Sequence, residues 1–172
     1  MKKPVRRKIQ KKSKLGDDIA EKLSGAKKVA ILGVGSELRS DDAAGVLAAQ
    51  AIEKTEKCDS RIKVFIGGTA PENLTGQIKN YGPTHLVIID TADIGGNPGD
   101  VKILTSDEIG GISFSTHRLP TSIMVDYLQS EIRCAVYIIG IQPKSITFGG
   151  KVSKEVTRAV ELLSEAIVKA LS

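Results

Sequence analysis

Tryptophan is absent from this 172-residue chain, and phenylalanine and tyrosine together make up only 3% of it. Aliphatic side chains must therefore fill any core. A surface that stacks single-stranded bases on aromatic rings is also disfavoured, so no nucleic-acid partner is expected. The chain has only two cysteines, Cys58 and Cys134, too few for a disulfide framework or a cysteine-rich zinc site. Both are read as reduced thiols of a cytoplasmic protein. Cys134 heads an apolar run and is expected in the core. No apolar stretch approaches the ~20 residues that a transmembrane helix needs.

What is present suits one globular unit. Hydrophobic residues make up 41% of the chain, and a chain of this length buries roughly 70% of its unfolded surface without staples. The net charge of +5 is localised. Residues 1–15 hold eight Lys or Arg and no acid, and removing those eight leaves −3 for residues 16–172. The organisation expected is a flexible basic tail over 1–15 and a single α/β domain over 16–172, with a monomer favoured. The tail lacks the apolar stretch that follows the basic region of a secretory signal. It reads as a solvated extension, or as a tether to an acidic partner or anionic lipid.

Two element types alternate along the domain. Lys28–Leu32, Ile62–Ile66, His85–Ile89 and Ala135–Ile139 are short β-rich apolar runs, and near-continuous apolarity indicates strands buried on both faces of a parallel sheet. Val101–Leu104 follows the turn Gly-Gly-Asn-Pro-Gly (Gly95 to Gly99) and suits an edge. Helical patterns lie between, over Asp17–Leu23 and Ala43–Lys54. Thr69-Ala70-Pro71-Glu72 reads as a capping box that opens a helix to about Asn80. Pro120 sits where a further helix begins, with Ile123, Met124, Tyr127 and Leu128 on one face. Ser153 can cap a last helix, in which Val156, Val160, Leu163, Ile167 and Leu171 recur at helical spacing. The fold expected is a three-layer α/β/α sandwich around a mostly parallel twisted sheet of about five strands.

In such sheets ligands sit outside the carboxyl ends of the strands, where the strand order switches. The polar residues placed there are Asp41 and Asp42 after the first strand, Asp90 ending the third, and His117 before the Pro120 helix. Asp42, Asp90 and His117 together offer oxygen and nitrogen donors suited to a divalent metal, with positions left open for water or substrate. An aspartate at the mouth of a helix can instead serve as a cap. That role is assigned to Asp41, and Asp42 to the site. Asp90 has a bland reading as a strand-end turn residue, and His117 as a surface histidine. His85 stands at the opposite end of its strand and reads as structural. The loop Gly33-Val34-Gly35 invites a nucleotide reading, but it lacks the third glycine of a dinucleotide fingerprint and the Gly-Lys-Ser/Thr of a phosphate loop.

The segments ILGVGSELRSDDAAG (31–45), GGTAPENL (67–74), LVIIDTADIGGNPG (86–99), STHRLP (115–120) and IIGIQP (138–143) together resemble the hydrogenase maturation endopeptidases, and within them the branch that processes group 4, formate-hydrogenlyase-type enzymes. The resemblance implies a metal-assisted endopeptidase that removes the C-terminal extension of a nickel–iron hydrogenase large-subunit precursor after nickel insertion. It implies that Asp42, Asp90 and His117 are both the catalytic residues and the nickel ligands. The nickel would be carried by the substrate rather than held permanently by the enzyme. Ser36, Ile66 and Ala43 depart from residues common in the family. A docking factor or metallochaperone using the same ligands, and less so a nucleotide-binding module, are the rival readings.

Overall fold

The structure, a computed structural model, describes residues 14–55, 60–104, 113–114 and 121–172. Among these residues six strands and five helices follow one another: α1 over 14–22, β1 (Val29–Val34), α2 (Ala44–Glu53), β2 (Ile62–Gly68), α3 (Thr75–Tyr81), β3 (His85–Asp93), β4 (Val101–Leu104), β5 (Ser113–Phe114), α4 (Thr121–Glu131), β6 (Ala135–Ile141) and α5 (Lys154–Leu171). The main sheet runs β2-β1-β3-β6-β4. β4 alone is antiparallel within it, and β5 adds a short antiparallel pairing to the end of β3.

The period-two geometry of a strand divides the apolar runs between two cores. On one face Val29, Ile31, Val87, Ile89, Ile139 and Ile141 pack with side chains from α1, α2 and α5. On the other face Ala30, Leu32, Leu86, Ile88 and Ile138 meet Ile78 of α3 and Val125 and Leu128 of α4. This is the expected sandwich. β1 is buried throughout and β3 nearly so. β2 is an edge strand in which only Phe65 is fully buried, so the run Ile62–Ile66 is less enclosed than its apolarity suggested.

Local details differ in four places. The helix expected from Asp17 reaches back to residue 14, and Leu15 packs on the first core. The predicted capping box is absent: Ala70 occupies the cap position of a 3-10 turn at Pro71–Leu74, without a side-chain cap bond, and α3 starts only at Thr75. Pro71 sets the turn instead, packed so closely that a β-carbon on Gly67 would stand 2.8 Å from its Cβ. Among the described side chains of α4, Val125 and Leu128 are buried, followed by Ile132 just past the helix, while Tyr127 is 47% exposed. Neighbours on a helix at spacings of three and four share a face, which places Tyr127 off that stripe. The side chains of Ile123 and Met124, together with Pro120, Cys58 and residues 1–13 of the basic tail, lie outside the described residues. Cys134 is half-buried against the second core, and that burial raises its thiol pKa.

The last helix behaves as its pattern predicts. Ser153 Oγ accepts the N–H of Val156, and Val156, Val160, Leu163, Ile167 and Leu171 are buried. Among the described residues no helix is long and apolar enough to cross a membrane.

Candidate active site

From β1 the chain crosses to β2 on one side, and β3 pairs with β1 on the other. The strand order therefore switches between β1 and β3, and the crevice lies at their carboxyl ends. Small residues let helix α2 settle over this point. A β-carbon on Gly45 would stand 2.1 Å from the carbonyl oxygen of Ile89 and 2.3 Å from that of Val34. One on Gly33 would stand 2.5 Å from the Cβ of Ala49. Gly35 adopts φ +133°, and its missing side chain leaves room for the Asp42 carbonyl, an approach only glycine permits. The glycines of the 33–35 loop thus serve close packing of the protein's own backbone. That use accounts for them without a phosphate ligand.

Between Gly35 and α2 a 3-10 turn, Ser40–Ala43, carries both aspartates, and all four of its residues are buried. Ser40 enters it at φ +41°. Neither aspartate caps α2, whose cap position is Ala43 with no side-chain bond. Asp41 instead accepts four hydrogen bonds from the far side of the chain. They come from the N–H groups of Lys144 (2.8 Å), Ser145 (3.2 Å) and Ser153 (2.6 Å), and from the Ser153 hydroxyl (3.0 Å). A carboxylate so engaged is satisfied by charge-assisted bonds, and through Ser153 it is tied to the start of α5. The Asp41 carbonyl in turn accepts the hydroxyl of Thr91 at 2.9 Å. The aspartate turn, the 144–153 loop and the end of β3 are thereby joined.

Asp42 and Asp90 are both completely buried. Asp42 Oδ2 accepts the Ser36 N–H at 3.0 Å, and Asp90 Oδ1 accepts the Thr91 N–H at 2.7 Å. Each of these bonds is local, and each carboxylate sits at the carboxyl end of a central strand or in the turn just beyond it. Asp42 thus lies in the turn that follows β1, and Asp90 in the last part of β3. His117, the third predicted member, lies outside the described residues. Among those residues no group of three His, Cys, Asp or Glu side chains is arranged to hold a metal ion. Oxygen donors such as these two suit a hard or borderline cation.

Beside Asp90 an open groove of about 350 Å³ is lined by Thr91, Ala92, Asp93, Phe114, Gln142, Pro143 and Ile146. Its wall is held by Gln142, whose Oε1 accepts the N–H of Ile94 (2.8 Å) and of Gly96 (3.2 Å). Sequence reasoning passed over Thr91 and Ser36. Thr91 was visible only as the residue after Asp90, and Ser36 contributes its backbone N–H, which any residue but proline would supply.

A family profile described as hydrogenase maturation protease, of the HycI type, matches residues 46–170. The chain belongs to the hydrogenase maturation proteases. A Methanocaldococcus jannaschii protein assigned to the same group is 39% identical over 157 residues, covering 88% of this chain and 92% of that one. The hydrogenase 3 maturation protease of Escherichia coli K12 is 34% identical over 142 residues, covering 80% and 86%. The crystal structure of a nickel–iron hydrogenase maturation protease, HycI, from Thermococcus kodakarensis aligns with a TM-score of 0.82 at 29% identity, covering 90% of this chain and 98% of that one. The expected family, its HycI-type branch and its protease activity are thus all found, and the α/β architecture agrees.

Proposed function

We propose that this protease removes the C-terminal extension of a nickel–iron hydrogenase large-subunit precursor once nickel has been inserted. The observation that carries the reading is the pair Asp42 and Asp90, two fully buried carboxylates at the switch point of a HycI-type protease. Carboxylate oxygens are ligands suited to a hard or borderline divalent cation, and a cation presented by the substrate could be met by them. In this reading nickel is part of the substrate. Asp42, Asp90 and His117 engage it, and the enzyme gains a way to recognise a precursor that is ready to be cut. A metal ion in that place supplies Lewis acidity to a scissile carbonyl or to an attacking water. The chain's own share is to hold two carboxylates rigidly at the rim, Asp42 by the Ser36 N–H and Asp90 by the Thr91 N–H. We place the reaction in the cytoplasm, where an unpaired thiol such as Cys134 stays reduced.

The test is an incubation of purified protein with nickel-loaded and nickel-free precursor, read by mass spectrometry. A C-terminal peptide should be released from the loaded form alone. Equal cleavage of both forms would remove nickel from recognition. No cleavage of a verified loaded cognate precursor would overturn the reading.

A further inference from the structure

Two large apolar side chains stand out on the surface, Leu38 at 65% exposure and Phe148 at 74%. They lie 110 positions apart in the chain, yet the N–H of Gly149 donates to the carbonyl of Leu38 at 2.8 Å, so the two loop tips are neighbours. Both loops are tightly held. Arg39 Nε donates to the Ile146 carbonyl at 3.4 Å, and Ser40 Oγ to the Ser145 carbonyl at 2.9 Å. The four bonds to Asp41 anchor the far strand of the same loop pair. A rigid scaffold therefore holds two apolar groups in water, at a standing cost that burial against a partner would relieve.

The position of the pair indicates the partner. Leu38 lies in the loop whose ends, Ser36 and Asp42, close on each other through the Ser36 N–H to Asp42 bond. Phe148 lies two residues beyond Ile146, which lines the groove next to Asp90. The apolar pair therefore lies close in the chain to the buried carboxylates and to the groove: Leu38 is in the loop that Asp42 closes, and Ile146 lines the groove that begins at Thr91. A protein that lies along this groove would have the two loop tips within its reach.

We infer that Leu38 and Phe148 form a docking contact for an apolar segment of the large-subunit precursor, outside the bond that is cut. This rests on the function proposed above. It assigns the pair to substrate affinity rather than to chemistry, so the two steps of the reaction should separate on mutation.

The experiment compares wild type with Leu38→Ser, Phe148→Ser and the conservative Phe148→Leu on nickel-loaded precursor. Cleavage is followed across precursor concentrations, and binding is titrated separately by calorimetry. Thermal melting and oligomeric state are recorded for each variant. The expected result is a rise in KM and in Kd of about tenfold for each serine variant, with kcat close to wild type, unchanged melting, and recovery in Phe148→Leu. Unchanged KM and Kd would overturn the inference, as would a loss of kcat at constant KM. A wild-type dimer that dissociates in the serine variants while Kd for precursor stays constant would assign the pair to self-association and overturn it too. If wild type binds precursor without cutting it, the proposed function fails while the Kd comparison still decides the docking contact.

Discussion

At the carboxyl end of the sheet Ser40, Asp41, Asp42, Asp90 and Thr91 are all buried, whereas at the amino end His85, Thr84 and Tyr137 are only half-buried and Lys28 is exposed. The amino end is a set of polar groups that satisfy one another near water. Thr84 Oγ1 accepts the N–H groups of Lys27 (3.0 Å) and Lys28 (3.1 Å), His85 Nδ1 lies 3.0 Å from the same hydroxyl, and the imidazole stacks on Tyr137. Nothing there confines a charge away from solvent. The carboxyl end does so three times within two short segments. Its aspartates also differ in reach, because the bonds to Asp41 come from the 144–153 loop and close the loops, while the Ser36 N–H to Asp42 and the Thr91 N–H to Asp90 are local in sequence. Carboxylates of equal burial can thus differ in reach: Asp41 rivets distant loops, and the site role is proposed for Asp42 and Asp90.

The largest effect that would break this contrast is on stability at Asp41. Asp41→Ala strands the N–H groups of Lys144, Ser145 and Ser153, and leaving a buried donor unsatisfied typically costs about 1–3 kcal/mol for each. Urea denaturation should show a loss of that order together with a lower melting temperature. A loss below about 1 kcal/mol would mean that Asp41 is no rivet.

Next in size is the effect of Asp42→Asn and Asp90→Asn on activity. Each keeps a side-chain oxygen able to accept its neighbour's N–H, so the fold should survive, while precursor processing falls by about 100-fold or more. His117→Ala should likewise fold and fail to process. Retained processing in any of the three, measured at saturating precursor, would remove that residue from the chemistry.

The smallest effect lies at the amino end. Burial lowers the pKa of His85 below its ordinary value of 6.5. The unfolded chain therefore binds this proton more readily than the folded one. Stability from this group is complete above pH 6.5 and declines as the pH falls below it, towards the depressed folded value. His85→Phe should flatten that part of the stability profile, read by denaturation at pH 5 and pH 8, and leave processing intact. A change in processing would contradict the assignment of His85 to structure alone.

Much of the architecture was legible because its signals are local. The apolar runs at Val29, His85 and Ala135 are strands, the spacing from Val156 to Leu171 is a helix face, and Ser153 caps it. The sequence placed Asp42 in the turn after the first strand and Asp90 late in the third, and the structure has them there, both buried. The capping box at Thr69 misled, since a proline turn with backbone bonding can open a helix without a side-chain cap. The apolar run Ile62–Ile66 misled because strand position in a sheet depends on which neighbours pair with it, and β2 has one.

By itself the sequence determined the element types, their order and the placing of acidic residues after β1 and in the last part of β3, since periodicity and turn chemistry act over a few residues. Its ordered motifs also determined the family. Only the tertiary structure decided what Asp41 does, because the partners that occupy it lie 103 to 112 residues away. It alone placed Leu38 beside Phe148 and opened the groove next to Asp90. Contacts of that range depend on how the layers close, and no local pattern encodes them.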